Sequence, residues 1–340
     1  MSSSLRNFLI TRILLTIPMV LILTTLVFFV MRVLPGDPIN STLGPRVSEE
    51  QRQAFREELG LNRSLLVQYG DFLWNTLHLE FGDSMIGGNR PIRDELAEVF
   101  PATLEISVPA MTFTAIFGVF SGALAAQNRK KIIDHVLRIF SITIYSIPVF
   151  WLGLVFIIIF SVALNLTPVA GRIDAQIGLT LERKTNLLVI DSIISGNWEA
   201  LGSVLHHLIL PSLTLGLALS GVYIRLTRVN MIEVLQEDFI TAGRARGLSE
   251  RILVYRHALR NTFIPILTLI GLQFAILLAG AVLTETTFSW PGMGRYMVDR
   301  IELRDYAAVQ AVITVFALLM AIITLVMDML YAFVDPRIRY

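Results

Sequence analysis

Six apolar stretches, 13–33, 102–127, 137–164, 204–224, 263–288 and 309–334, dominate this chain, and each reaches or exceeds the roughly 20 residues that an α-helix needs to cross a bilayer. A backbone in hydrocarbon must satisfy its polar groups internally, so such runs read as helices. The 340 residues are 54% hydrophobic, with a mean hydropathy of +0.66, more apolar sequence than a soluble core of this size requires. The expected fold is therefore an all-α polytopic membrane protein of about six transmembrane helices. The first stretch follows Arg6 and Arg12 and lacks a small-residue cleavage site before Pro35, which marks an uncleaved anchor and not a signal peptide.

Charge sets the orientation. Arg6 and Arg12, the group Arg129, Lys130, Lys131 and Arg138, the basic stretch 225–260, and Arg337 and Arg339 all fall on one side of a six-span arrangement. The positive-inside tendency assigns that side, with both termini, to the cytoplasm. The chain then divides into a first helix (1–34), an extracytoplasmic helical cap (35–100), a transmembrane core (101–334) that includes a cytoplasmic segment at 229–262, and a short cytoplasmic tail (335–340).

Within the cap, Pro35-Gly36-Asp37-Pro38 turns the chain away from the membrane. Ser48 and Gln51 form a capping box for a short helix that Gly60 closes. A second amphipathic helix, with Leu65, Leu66, Tyr69, Phe72, Leu73 and Leu77, is placed along the outer membrane surface. Pro101 reads as the start of the second span and Glu105 as an acid in its first turn. The outer segment 167–203 shows little periodicity apart from 187–194. Further on, Pro291-Gly292 reads as a turn and Trp290 as an interfacial anchor.

The stretch 225–260 is long and patterned for a loop. Met231, Leu235, Phe239, Ala242 and Ala245 recur at steps of three or four, the spacing of one helical face. Gly247 is the expected stop, Ser249 and Glu250 open a second helix, and Ile252, Tyr255 or Arg256, and Leu259 form its stripe. Gly243 and Gly247 would expose backbone to an approaching surface. A plain hairpin covering the end of the bundle fits the same spacing.

Several chemistries lack their residues. There is no phosphate-binding GxxxxGK[S/T] motif, no cysteine, no HExxH and no span serine with a histidine base in place, so no catalytic residue, metal site or nucleotide site is expected. His206-His207 reads as an interfacial pair. The helix-turn-helix look of 241–261 does not indicate nucleic acid, because membrane spans flank it. An ion-coupled secondary transporter would need acids in the membrane, for which Asp328, Glu285 and Glu105 are the candidates; Asp328, close to the cytoplasmic end, suits pairing with a base. Breaks at Pro18, Pro148, Pro211, Gly216, Gly221 and Gly271 fit either helices lining a pathway or kinks made for packing. Pro148, Trp151, Pro211, Glu285 and Asp328 are the pathway or gate candidates. The chain thus has a pathway but no energy source of its own.

The motifs Leu34-Pro35-Gly36-Asp37-Pro38, Phe100-Pro101-Ala102-Thr103-Leu104-Glu105 and Tyr145-Ser146-Ile147-Pro148-Val149-Phe150-Trp151 occur in order with four others. These are the stretch 238–249, His257-Ala258-Leu259-Arg260-Asn261, the stretch 285–294 and Asp335-Pro336-Arg337-Ile338-Arg339. Over nearly its whole length the chain resembles the permease subunits of ATP-binding-cassette importers, in the dipeptide, oligopeptide and nickel branch. The family's cytoplasmic signature reads Glu-Ala-Ala, three residues, then Gly; here Thr241, Ala242 and Gly243 stand first and Gly247 last, two departures from the leading triplet. The resemblance implies a type I importer fold in a prokaryotic inner membrane. It also implies that Glu237, Asp238, Phe239, Thr241, Ala242, Gly243, Arg244, Ala245, Arg246, Gly247, Leu248 and Ser249 form a coupling helix that docks on an ATPase. The implied partners are a second permease, two ATPase subunits that bind ATP and Mg, an extracytoplasmic solute-binding protein and membrane lipid; the implied cargo is a di- or oligopeptide, with nickel, glutathione or a short sugar as the alternatives.

Overall fold

The computed structural model describes residues 3–33, 48–58, 60–84 and 90–334. The Pro35–Pro38 turn and the tail at 335–340 lie outside them. Among the described residues the chain is helical and has no strand, only an isolated bridge between Asp83 and Pro91.

Four helices are long and apolar enough to span a membrane: α1 (Ser3–Val33), α4 (Ile92–Gln127), α8 (Trp198–Val234) and α13 (Tyr306–Val334). In the cap, α2 (Glu49–Glu58) starts at the expected capping box: Gln51 donates its backbone N–H to the Ser48 hydroxyl at 3.3 Å, and Ser48 N–H reaches the Gln51 side chain at 3.4 Å. Gly60 follows at φ +66°, a backbone that glycine adopts without steric cost. Helix α3 (Leu65–Leu77) is the second amphipathic piece.

The run 137–164 is not one straight span. Helix α5 (Ile132–Ser146) turns through 102° into α6 (Val149–Phe156), whose end continues as π-helix over Ile157–Ala163. The break falls at Ile147-Pro148, where proline pushes the preceding residue out of the helical region; Ile147 has ψ 126°. The run 263–288 is divided as well. After a 56° bend near Pro265, α10 (Leu259–Gly280) ends and a separate short helix, α11 (Val282–Thr287), follows. Helices α7 (Leu188–Ile194), α9 (Asp238–Ala245) and α12 (Met293–Glu302) lie between these, with single helical turns at Ala175–Gly178 and Glu250–Ile252.

Helix α8 is the hub, lying against α4, α5, α6 and α10. Its contact with α4 is made possible by glycine: a Cβ on Gly122 would lie 2.6 Å from Thr227 Cβ and 2.7 Å from the Ile224 carbonyl, and one on Gly118 would overlap Tyr223. Gly118 and Gly122 stand one turn apart, the small-residue pattern that lets membrane helices approach at backbone distance. On α8 itself Gly216 receives Phe113 and the Ala110 carbonyl, while a Cβ on Gly221 would lie 2.5 Å from the Ser141 carbonyl of α5. Thr114 donates across the contact to the Gly216 carbonyl at 2.9 Å. Within this chain, the breaks at Gly216 and Gly221 serve helix packing.

The helix ends fall into two groups. Asp328 of α13 pairs with Arg12 of α1 at 3.3 Å, so the ends nearest the two termini lie together. Ala123 and Ala126 of α4 pack with Met231 of α8, Ile240 of α9, and Leu253, Val254 and Ala258. At the opposite end, Ile92 and Leu96 pack with Met293, Tyr296, Ala308, Ala311 and Val312. The first group is called proximal below and the second distal.

A buried ion pair ties α5 to α8 near the proximal end. Arg228 grips both carboxylate oxygens of Asp134, with Nη2 at 2.8 Å from Oδ2 and Nε on Oδ1; Asp134 also accepts the Lys130 N–H at 3.0 Å. Removing one partner of such a pair costs about 3–5 kcal/mol, whereas replacing both by apolar groups is often neutral. Asp134→Leu is therefore expected to lower the thermal stability of the purified protein sharply, and Asp134→Leu with Arg228→Leu to restore much of it. Equal losses in the single and double variants would contradict that reading.

Candidate functional site

At the proximal end, α8 stops at Val234 with Leu235 as its cap, and the chain turns through Gln236 and Glu237 before α9 begins. The single face expected from Met231 to Ala245 is thus broken in two. Within α9 the buried residues are Ile240 and Gly243; Phe239, Thr241, Ala242, Arg244 and Ala245 are exposed, Phe239 by 44%. The apolar stripe anticipated at Phe239, Ala242 and Ala245 therefore faces outward from the chain.

Gly243 also points the other way from expectation. A Cβ there would lie 2.6 Å from Leu253 Cδ2, so its small size seats α9 on this same chain. Gly247 ends the helix as anticipated, at φ +80° with open space around it. Its N–H bonds the Arg244 carbonyl at 2.9 Å, and Leu248 N–H bonds the Gly243 carbonyl at 3.2 Å. These are the two bonds of a Schellman stop.

Ser249 makes no side-chain cap. Glu250 instead pairs with Arg244 at 2.7 Å, clipping the helix to the segment after it and raising the Arg244 guanidinium above its ordinary value. The next turns, Leu253–Ala258, are π-helical, and the residues that bury are Leu253, Val254 and Ala258. That widened turn displaces the stripe expected at Ile252, Tyr255 and Leu259, because i and i+5 now share a face. Arg246, Leu248, Glu237 and Asp238 are exposed around the same helix. The result is a short helix whose base packs with the ends of α4 and α8 and with the π-helical turns 253–258, and whose outer face has small or apolar side chains at its centre.

The distal end holds a second constellation. Helix α4 begins after Pro91, well before Pro101, so Pro101 sits inside the helix and Glu105 lies far beyond its first turn. Pro101 has no N–H to give the Ala97 carbonyl, and Asn186 supplies a side-chain donor there at 3.2 Å. Glu105 is a buried ion-pair partner: Arg172 meets its Oε2 at 2.6 Å, and the Val189 N–H donates to its Oε1 at 3.0 Å. Burial lowers the Arg172 guanidinium from its ordinary value and Glu105 works against that shift.

Trp290 is fully buried, not interfacial. Its indole N–H donates to the Ala102 carbonyl at 2.7 Å, and Arg172 lies 5.9 Å over its ring. Thr103 donates to Glu285 at 2.7 Å and accepts the Met293 N–H at 2.8 Å; Glu285 in turn accepts the Arg295 N–H at 2.9 Å. Glu285 thereby caps the first turn of α12, whose approach is so close that a Cβ on Gly292 would overlap the carboxylate. Asp305, paired with Ser84 at 2.7 Å, similarly caps α13 through the Ala308 N–H. These partners, remote from one another along the chain, Arg172 above all, carry no sequence periodicity.

The pathway candidates are not brought together. Pro148 marks the bend and Trp151 stands half-exposed on α6; Pro211 is buried inside α8, Glu285 caps α12 and Asp328 pairs with Arg12. His206 and His207 each bond a backbone carbonyl, of Leu166 and Ser203 respectively. Among the described residues no group of three or more acidic, histidine or cysteine side chains could hold a metal ion.

Comparison with known proteins agrees with this architecture. Residues 118–340 match the family model of the binding-protein-dependent transport system inner membrane component, and residues 5–107 match that of its N-terminal part. The di/tripeptide transport system permease protein DppB of Pseudomonas aeruginosa (strain UCBPP-PA14) is 42% identical over 98% of this chain and 99% of its own length. The dipeptide transport system permease protein DppB of Escherichia coli (strain K12) is 40% identical, and the glutathione transport system permease protein GsiC of the same strain 37%, each over 98% of this chain and 99% of its own length. This chain belongs to the family of inner membrane components of binding-protein-dependent transport systems, the permease subunits of ATP-binding-cassette transporters.

Proposed function

We propose that this chain is one of two permease subunits of an importer for short peptides, and that α9 receives the motion of ATPase subunits on the cytoplasmic side. The observation that carries the coupling role is the outward face of α9. Among the described residues Phe239, Ala242 and Ala245 are exposed, while Ile240 packs with the ends of α4 and α8 and with the π-helical turns 253–258, Gly243 seats against Leu253, and Arg244 pairs with Glu250. A braced helix passes a push into the spans it rests on; a floppy loop would absorb it. ATP and Mg would be bound by the ATPases, and a solute-binding protein would deliver cargo at the distal end. The relatives supply the cargo class: di- and tripeptides for one permease and glutathione for another.

The acids that an ion-coupled carrier would use are already engaged: Asp328 with Arg12, Glu105 with Arg172, and Glu285 with α12. The decisive comparison is uptake of labelled di- and tripeptides into vesicles. ATP-dependent uptake is expected when the chain is reconstituted with a second permease, ATPases and a binding protein. Uptake by this chain alone, driven by a proton gradient without ATP, would refute the proposal.

A further inference from the structure

Helix α3 has three faces. At 100° per residue, Tyr69, Phe72 and Thr76 share one side, Gln68, Asp71 and Asn75 a second, and Leu66, Val67, Leu73, Trp74 and Leu77 a third. The first side lies on α1: the Tyr69 hydroxyl bonds that of Thr25, and Phe28 sits 5.3 Å from the Tyr69 ring and 5.5 Å from that of Phe72. The second is tied to the preceding turn, with Asp71 paired to Arg63 at 3.2 Å and the Gln68 amide donating to the Leu61 and Arg63 carbonyls. Among the described residues the third is largely uncovered, apart from half-buried Leu73 and the His78 ring 4.5 Å from that of Trp74. Leu66 is 82% exposed, Leu77 79% and Trp74 64%.

What covers the third face follows from where α3 is attached. Thr25 and Phe28 lie near the distal end of the Ile10–Met31 span, and at that level Ile22, Leu26, Phe29 and Val30 of α1 are themselves exposed. The apolar arc of α3 therefore continues the lipid-facing surface of α1 at the depth where the span ends, and none of its five residues is charged. Trp74 belongs to the aromatic type that collects at the membrane–water interface. A helix with one face on a span, one apolar and one polar has the geometry of an element lying in the interfacial plane.

We propose that α3 is an interfacial foot, with Leu66, Trp74 and Leu77 entering the headgroup–acyl boundary of the bilayer around α1 and Gln68, Asp71 and Asn75 kept in water. The foot would fix the depth and rotation of α1, which no other described cap helix touches to a comparable extent.

The chain contains no cysteine, so single labels can be placed cleanly. Leu66→Cys, Leu77→Cys, Asp71→Cys and Ile22→Cys in the full-length chain would each carry a nitroxide label in lipid vesicles. Collision rates with oxygen, which partitions into lipid, and with a water-soluble nickel complex would then be measured. At positions 66 and 77 the oxygen rate should exceed the nickel rate severalfold, as at the lipid reference 22, with the order reversed at 71. Nickel-dominated collisions at 66 and 77 would overturn the proposal by placing the face in water. Exclusion of both reagents there would overturn it too, by showing a protein partner on the face.

Discussion

Gly122→Leu is expected to abolish accumulation of the folded protein. A side chain there meets Thr227 and the Ile224 carbonyl of α8 at distances no Cβ tolerates, and backbone cannot move aside as a side-chain tip can. Overpacking costs roughly 1–3 kcal/mol where side chains can shift, and this contact forces the two principal helices apart. Because α4 and α8 also carry the base of α9, the damage would extend to that helix. Gly202→Leu, in the same helix α8 but facing open space, should leave the yield of monodisperse protein near that of the parent. Size-exclusion profiles of fluorescent fusions read both outcomes, and a normal profile for Gly122→Leu would contradict the close packing.

Ala242→Arg combined with Ala245→Arg is expected to leave the fold intact and to disconnect transport from ATP. Both positions are exposed, whereas the buried residues of α9 are Ile240 and Gly243. If an ATPase groove closes over them, two long charged side chains must be buried without partners, at several kcal/mol each. Since about 1.4 kcal/mol corresponds to a tenfold change in affinity, substrate-stimulated ATP hydrolysis should fall on the order of tenfold or more. Ile240→Ala acts differently: it opens the cluster beneath α9 and should lower stability before it lowers coupling.

The apolar runs make the helical nature of the spans legible, because hydrocarbon leaves a backbone no alternative; four of the six runs are single spanning helices and the other two are bent pairs. Local stops were legible as well: Ser48 with Gln51 opens α2, and Gly247 closes α9. What sequence could not show depends on contacts remote along the chain. Pro101 looks like a helix start until Asn186 is seen serving the carbonyl it leaves free, and Glu105 looks like a cap until Arg172 is found against it. The 102° turn after Ile147 is hidden because a proline in an apolar run reads equally as a modest kink. Along 231–259, periodicity identified helix but misassigned the faces. The side of α9 that resembles a core stripe is turned away from this chain, and a π-helical turn shifts the register of the stripe that follows.

The most direct measurement of coupling is cross-linking from α9 itself. With no native cysteine in the chain, Ala242→Cys can be joined by a short bifunctional reagent to whatever lies within reach in the assembled transporter, with Gly202→Cys at the far end of α8 as control. The docking role predicts a product between position 242 and an ATPase subunit, formed in a yield that changes when ATP is trapped, and loss of substrate-stimulated hydrolysis once the link is made. Absence of that product from an assembly that still transports, or full coupled hydrolysis with the link in place, would contradict it.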